Sequence, residues 1–172
     1  MCDDPFMKKE SLPDRRKAFK KMGSWIVAGS GTLTLAYLAL GREGPIDEWV
    51  EVAPVSDFPV NEIQVRRVTV TAHGRWLDEH VERGIFIRRN ADDSVMVLSS
   101  ICPHKDYSIS WKPVLGTFVC PGHKSAFDPT GKVLSGPSPR AMDSLEHKVE
   151  NGILMVRYQK FKRSIPTKEV FS

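Results

Sequence analysis

Two short loops, each with one cysteine and one histidine, constrain this 172-residue chain more than any other feature. They read C-P-H at 102–104 and C-P-G-H at 120–123, so Cys102, His104, Cys120 and His123 form two mixed pairs. Four thiolate and imidazole ligands suit either zinc or an iron–sulfur cluster. Zinc fingers usually pair like with like, as C-x₂₋₄-C and H-x₃₋₅-H. The mixed pairs therefore favour a two-iron cluster with both cysteines on one iron and both histidines on the other, and a zinc module is the alternative.

The residues around the two loops alternate in short runs that are typical of β-strands. The runs lie at 63–71, 84–89, 94–99, 117–119, 126–127 and 152–158. Turn signals separate them, among them 72–74, 90–93 and 150–152. No sustained helical period follows residue 60. Many short strands at close spacing predict a mainly β domain, built as an antiparallel sandwich or small barrel.

An uncharged stretch at 22–41, MGSWIVAGSGTLTLAYLALG, precedes the predicted strands. A helix of that length spans roughly 30 Å, which is the thickness of the hydrocarbon core of a bilayer. The alternative is a cleaved secretory signal, but the stretch is longer than a usual signal core and no clear A-x-A site follows it. We therefore expect an N-terminal tail at 1–21, a transmembrane anchor at 22–41 and a hinge linker at 42–48.

The flanking charges predict the orientation of this anchor. Basic residues crowd into 15–21 (RRKAFKK), whereas 42–51 carries one arginine and four acidic residues. Positive flanks stay inside, so we expect a single-pass protein of the cytoplasmic membrane with a cytoplasmic N-terminus and a periplasmic domain. Arg15 and Arg16, followed by Phe19 and Lys20, resemble a twin-arginine export signal with the phenylalanine one place late. The alternative is a purely topological charge cluster.

The remaining composition excludes other classes of function. The formal charge of +4 comes without a basic stripe interleaved with aromatics, so nucleic acid is not an expected partner. Three widely spaced cysteines make a poor disulfide framework, and Cys2 is expected to be a free thiol. His73, His80 and His147 have no neighbouring cysteine and are expected to be surface residues.

A third segment, G-P-S-P at 136–139, completes a resemblance to the Rieske proteins. The two loops correspond to the C-x-H…C-x-x-H pattern of that family, and the third segment, which contains Pro137, corresponds to its proline-rich cover loop. The resemblance implies a Rieske-type [2Fe–2S] cluster in a domain at 49–160, with cluster-binding loops within 99–140. It also implies an antiparallel Rieske-type sandwich or barrel.

With its single N-terminal transmembrane helix, the chain is most similar to the Rieske subunit of cytochrome bc-type quinol:cytochrome c oxidoreductases. The resemblance implies that Cys102 and Cys120 bind the buried iron. It implies that His104 and His123 bind the outer iron and are the catalytic residues, with their ring edges facing solvent and quinol.

Two departures from the family pattern affect the redox potential. Respiratory members carry a disulfide between the loops, but its places are taken here by Tyr107 (or its neighbour Asp106) and by Gly122. Members often have a serine and a tyrosine that donate hydrogen bonds to cluster or cysteine sulfur. Ser125 matches the serine, whereas Phe127 stands at the tyrosine position. Fewer donors to sulfur lower the potential, so we expect one in the lower part of the Rieske range and menaquinol as the quinol.

The resemblance implies an electron carrier that takes an electron from quinol, with a proton through a cluster histidine. The carrier then passes the electron to a c-type cytochrome, after movement about a hinge at 42–47. It is not catalytic alone, because the quinol site needs a cytochrome b-type partner. The C-terminal tail at 161–172, and the basic run 160–168 in particular, is expected to be solvated.

Two other Rieske proteins are alternatives. The first is the small Rieske subunit of a molybdenum oxidase such as arsenite oxidase, which a missing disulfide also fits. The second is a ferredoxin of a ring-hydroxylating oxygenase, but such ferredoxins are usually soluble and the predicted anchor argues against it.

Overall fold

The computed structural model describes residues 45–74 and 77–171. The predicted N-terminal tail, the predicted anchor at 22–41 and the first part of the predicted linker lie outside the described residues. Across 45–74 and 77–171, no helix is long and apolar enough to cross a membrane.

Ten strands make up the described part of the chain, with a short 3₁₀ turn at Val55–Asp57. They are β1 (Asp47–Pro54), β2 (Ile63–His73), β3 (Asp78–Arg89), β4 (Val95–Ser99), β5 (Ser110–Lys112), β6 (Thr117–Val119), β7 (Ala126–Phe127), β8 (Val133–Ser135), β9 (Glu146–Glu150) and β10 (Ile153–Gln159). They form three antiparallel sheets with the orders β1-β10-β9, β2-β3-β4 and β5-β6-β7-β8. The predicted mainly β, antiparallel fold is therefore confirmed.

The first two sheets share one hydrophobic core. Along β10, Leu154, Val156 and Tyr158 are buried at alternate positions, as expected for a strand with one face inward. They belong to the same buried cluster as Ile85 and Ile87 of β3. Full burial of each such side chain contributes roughly 1.5–3 kcal/mol, so this core holds the two sheets together.

The middle sheet is also covered on its opposite face. Phe86 of β3 and Leu98 of β4 are buried in a second cluster, which contains Phe118 of β6 together with Cys102 and Cys120. The rings of Phe86 and Phe118 lie 4.7 Å apart between centroids. The short β5-β6-β7-β8 sheet and its loops thus pack against one face of β3, and the opposite face of β3 packs in the main core.

The domain begins earlier than the predicted linker at 42–48 allows. Ile46 is fully buried, and Asp47 and Glu48 belong to β1, where they pair with Gln159 and Tyr158 of β10. The carboxylate of Asp47 also accepts hydrogen bonds from the Arg157 guanidinium at 2.6 and 2.9 Å. The end of the predicted linker is corrected accordingly, because its last residues are tied into a sheet.

The residues after β10 form a hairpin of their own, 160–171, which we call the C-terminal strap. Phe161 bridges to Val170, and Lys162 N–H donates to the Glu169 carbonyl at 2.8 Å. Phe161 is buried in the main core. Most strap side chains are exposed, as expected for a solvated run, but its backbone is ordered by these bonds.

Candidate metal centre

Two hydrogen-bonded loops carry the four predicted ligands. The first ligand loop, 100–109, connects β4 to β5 and is closed by the Cys102 N–H, which donates to the Tyr107 carbonyl at 3.0 Å. The second ligand loop, 120–125, connects β6 to β7 and is closed by the Cys120 N–H, which donates to the Ser125 carbonyl at 2.8 Å. Each loop therefore fixes the backbone of its cysteine by a hydrogen bond within the loop.

The two cysteines lie inside the domain and close to each other. Cys102 and Cys120 are each 1% exposed, and both are free thiols. Burial raises the pKa of the Cys102 thiol, and the nearby Cys120 thiol raises it further. The backbone N–H groups of His104 and Lys105 donate toward this sulfur and counter the shift. A metal held here by Cys102 would need the thiolate form, so its binding would release the thiol proton.

The two histidines lie together nearer the surface. The His104 and His123 ring centroids are 4.7 Å apart, and the rings meet edge to face at 85°. His123 is exposed and His104 is half-buried. Burial lowers the pKa of the His104 imidazole, with smaller contributions from His123 and Lys105. A neutral imidazole is the form that binds a metal. The structure thus pairs the two buried thiols with each other and the two imidazoles with each other, and the assignment of all four residues to one centre stays a prediction.

Two buried polar atoms beside this group have no hydrogen-bond partner. They are Nδ1 of His104 and Oγ of Ser125. A buried polar atom without a partner costs free energy, so such atoms in a native fold need an explanation. Thiols and imidazole nitrogens are the groups that bind the iron of such a cluster, and a hydroxyl can donate a hydrogen bond to its sulfur atoms. The residues present therefore fit an iron–sulfur cluster. Within 45–74 and 77–171, no three His, Cys, Asp or Glu side chains form a site for a single metal ion.

Tyr107 occupies the space between the two ligand loops. A Cβ atom added to Gly122 would lie 2.5 Å from the Tyr107 ring, so only glycine permits this contact. The same ring meets His123 edge to face, with centroids 5.6 Å apart. Of the two residues that could stand opposite Gly122, Tyr107 is therefore the one that faces it, and Asp106 pairs instead with Arg163.

The other predicted cofactor-binding residues lie around the second ligand loop. Gly136 has a φ of +94°, and a Cβ there would lie 2.5 Å from the Ser125 Cα, so the predicted cover segment at 136–139 begins on the backbone of Ser125. We call the longer stretch that starts with this segment, 136–143, the cover loop. Pro137 follows on the exposed side. Phe127 is fully buried in the cluster of side chains that contains both cysteines.

Sequence reasoning missed the strap residues that contact the first ligand loop. Ser164 Oγ donates to the His104 carbonyl at 2.6 Å, and Ser164 N–H donates to the Pro103 carbonyl at 2.9 Å. No local motif marks Ser164, because the contact joins residues 60 positions apart.

Comparison with known proteins shows the family to which the described domain is similar. Residues 48–150 match the Rieske [2Fe-2S] domain. The cytochrome b6-f complex iron-sulfur subunit of Synechococcus sp. (strain RCC307) is 31% identical over 100 residues, which cover 51% of this chain and 56% of that one. The chain thus spans about half the length of that curated relative. The subunit of the same name from Chlorobaculum tepidum is 26% identical over 132 residues, 76% of this chain and 70% of that one.

Among solved structures, the cyanobacterial plasma membrane Rieske protein PetC3 from Synechocystis PCC 6803 is similar, with a TM-score of 0.44 and 23% identity. The alignment covers 63% of this chain and 99% of that one. The match to the domain family is the decisive comparison, because it spans more than half of the chain and includes both ligand loops. This chain belongs to the Rieske [2Fe-2S] domain family, and its cofactor is a Rieske-type [2Fe–2S] cluster.

Proposed function

We propose that this chain is the electron-transfer subunit of a bc-type quinol:cytochrome c oxidoreductase. In this proposal it takes an electron and a proton from a quinol, which we infer to be menaquinol, and passes the electron to a c-type cytochrome. The cytochrome b6-f subunit names of its relatives support the assignment to a redox complex.

The pairing of thiol with thiol and of imidazole with imidazole supports the assignment of ligands. Cys102 and Cys120 would bind the inner iron, because they are buried and adjacent. His104 and His123 would bind the outer iron, because their rings lie together at the surface. Nδ1 of His104 is the buried nitrogen without a partner, which suits a bond to iron. The other ring nitrogen is then left for a hydrogen bond with a molecule outside.

The exposure of the imidazole pair is the observation that carries the proposed reaction. A bound Rieske cluster supplies one-electron chemistry at potentials of about −150 to +300 mV. The chain's own part is to hold the His104 and His123 imidazoles at the rim of the site, which is the edge that faces solvent. There one imidazole accepts a hydrogen bond and then a proton from a quinol hydroxyl. Tyr107 and Gly122 frame this rim and leave the His123 ring accessible.

The choice of menaquinol rests on the donors around the sulfur atoms. Phe127 has no hydroxyl to donate, and Tyr107 and Gly122 cannot form the disulfide of respiratory members. Both features favour a potential in the lower part of the Rieske range, and such a potential suits a low-potential quinol. Ser125 supplies the one matching hydroxyl donor of the pair.

We further propose that residues 22–41 anchor the chain in the cytoplasmic membrane, with the cluster domain on the periplasmic side. The uncharged length of this stretch and the basic residues before it support the proposal. A cytochrome b-type subunit would then supply the rest of the quinol site.

The test is to purify the full chain with its partners from membranes and to titrate it by low-temperature EPR. We expect a Rieske signal of low potential, copurification with b-type haem, and reduction of the cluster by a menaquinol analogue. His123→Ala should abolish the signal, whereas His80→Ala should preserve it, because His80 is an exposed histidine of β3.

Two results would contradict the proposal. Copurification with molybdopterin in place of b-type haem would assign the chain to a molybdenum oxidase. A cluster that a menaquinol analogue leaves oxidised in the intact complex would exclude menaquinol as the donor.

A further inference from the structure

The tip of the C-terminal strap is bonded to the backbone on both sides of a proposed ligand. Ser164 N–H donates to the Pro103 carbonyl at 2.9 Å, and its hydroxyl donates to the His104 carbonyl at 2.6 Å. Ser164 has a φ of +57°, in the left-handed region that non-glycine residues rarely adopt. The strap therefore keeps an unfavourable backbone conformation at the point where it meets the first ligand loop, and the two hydrogen bonds offset its cost.

A buried ion pair fixes the strap to the cover loop. Arg140 donates to both carboxylate oxygens of Asp143 at 2.9 Å, and both side chains are less than a tenth exposed. The same guanidinium donates to the carbonyls of Ile165 and Lys162 at 2.7 and 2.8 Å. Because a guanidinium has five donors in a rigid plane, one arginine orders the cover loop and the strap together.

A second ionic link joins the strap to the first ligand loop. Arg163 pairs with Asp106, two residues after His104. Both side chains are partly exposed, so this link adds little free energy alone. It lies beside Ser164, however, and so restrains the loop at a second point on the same side. The first ligand loop is thus bonded to the strap. The strap is in turn bonded to Arg140, which belongs to the cover loop.

We propose that the C-terminal strap is a positioning element for His104, and that Ser164 is its main positioning residue. The strap provides non-covalent support to the first ligand loop in a chain without cysteines for a bridge between its loops. It lies beyond residues 48–150, so it is a feature of this chain outside the matched domain. The inference rests on the proposed assignment of His104 as a ligand of the outer iron.

The test compares Ser164→Gly with Thr167→Ala in the full, cluster-loaded chain. Glycine adopts the positive φ without strain and keeps the N–H bond to Pro103, so the hydrogen bond that this variant removes is the one from the hydroxyl to the His104 carbonyl. Thr167 is the matched control, since among the described residues its hydroxyl donates to Glu169, within the strap, at 2.9 Å. Loss of visible absorbance in an iron chelator should be about threefold to tenfold faster in Ser164→Gly than in wild type. Thr167→Ala should match wild type.

EPR of the reduced cluster provides the readout that general destabilisation would not change. Ser164→Gly should broaden or shift the signal, because the His104 ring samples more orientations, while the thermal midpoint stays close to that of Thr167→Ala. Identical EPR spectra and cluster-loss rates in Ser164→Gly and Thr167→Ala would overturn the inference. A wild-type protein without a Rieske EPR signal would instead overturn the ligand assignment, and the inference with it.

A charge exchange keeps the test independent of Ser164. Arg163→Asp places two acidic groups side by side and should speed cluster loss at low salt by about twofold. Adding Asp106→Arg restores an ion pair and should return the rate toward wild type. A double variant no better than the single one would show that the strap does not restrain the ligand loop through this link, and would count against the inference.

Discussion

Replacing Ser125 by alanine should lower the reduction potential of the cluster. Ser125 is fully buried, and its hydroxyl has no partner among the described residues. The hydroxyl is therefore available to donate to the bound group, and a donor stabilises the reduced, more negative cluster. A hydrogen bond to a charged group contributes about 1.5–3 kcal/mol. For a one-electron couple, 59 mV corresponds to a tenfold change in the equilibrium constant, or about 1.4 kcal/mol. The potential should fall by about 60 mV, with about 130 mV as the upper bound.

Ser125→Ala should lower the reduction potential of the cluster, but it should not lower the folding stability of the apo-protein. Without the cluster, the Ser125 hydroxyl is buried and unpaired, which costs roughly 1–3 kcal/mol. Ser125→Ala should thus leave the apo-protein at least as stable as the wild type. Urea unfolding of cluster-free protein measures this effect, and EPR-monitored redox titration measures the potential.

Ser100→Ala is the matched control for this experiment. Ser100 is also buried and begins the first ligand loop, but its hydroxyl packs against Gly84, where an added Cβ would lie 2.6 Å away. Its removal should leave the potential unchanged. A Ser125→Ala potential equal to that of Ser100→Ala, or higher than wild type, would refute the proposed hydrogen bond to the cluster.

Three further predictions concern the ligand loops and the edge of the main core. Phe127→Tyr should raise the potential, since it adds a donor within the core that holds both cysteines, and an unchanged redox titration would mean that the side chain does not reach the cluster. Tyr107→Ala should speed cluster loss in a chelator about twofold to tenfold, because it removes the aromatic contact between the loops, and a wild-type rate would show that this contact is dispensable. Hydrogen bonding to Arg157 holds the pKa of the Asp47 carboxyl below the usual value of an aspartate. A carboxyl group with a depressed pKa contributes stability that is fully present above its pKa in the unfolded state. This stability is lost as the pH falls through its pKa in the folded state. Asp47→Asn should therefore flatten the decline in thermal midpoint below about pH 4, and an unchanged decline would contradict this origin.

Three of the strands that could be predicted from the sequence are β2, β4 and β10, which correspond to the runs at 63–71, 94–99 and 152–158. In β2 and β10, burial on one side imposes a period of two, whereas β4 is a short apolar run that is buried on both faces. The polar edge strand β9, whose residues are mostly exposed, has no such period and was not predicted. The start of β3 was placed too late, at residue 84, since its first residues are exposed in a long hairpin with β2.

The cofactor was predictable for a different reason, because the chemistry of the ligands is written in two short local motifs. The prediction of a Rieske-type cluster is confirmed by the family match, whereas the roles of the individual ligands stay predictions. The C-terminal strap could not be predicted. Its contacts with Pro103 and His104 are made by one serine through backbone carbonyls, and such contacts leave no pattern in a single sequence.

Strand β3 has a consequence for how the domain opens. Ile85 and Ile87 face the main core, and Phe86 between them faces the core that contains the cysteines. Local opening of the centre of β3 therefore exposes both cores at once, so its amide protons should exchange with solvent only in the largest, most cooperative unfolding events. Cluster release and global unfolding are coupled through three consecutive residues, and a substitution that weakens either core lowers the exchange protection of both.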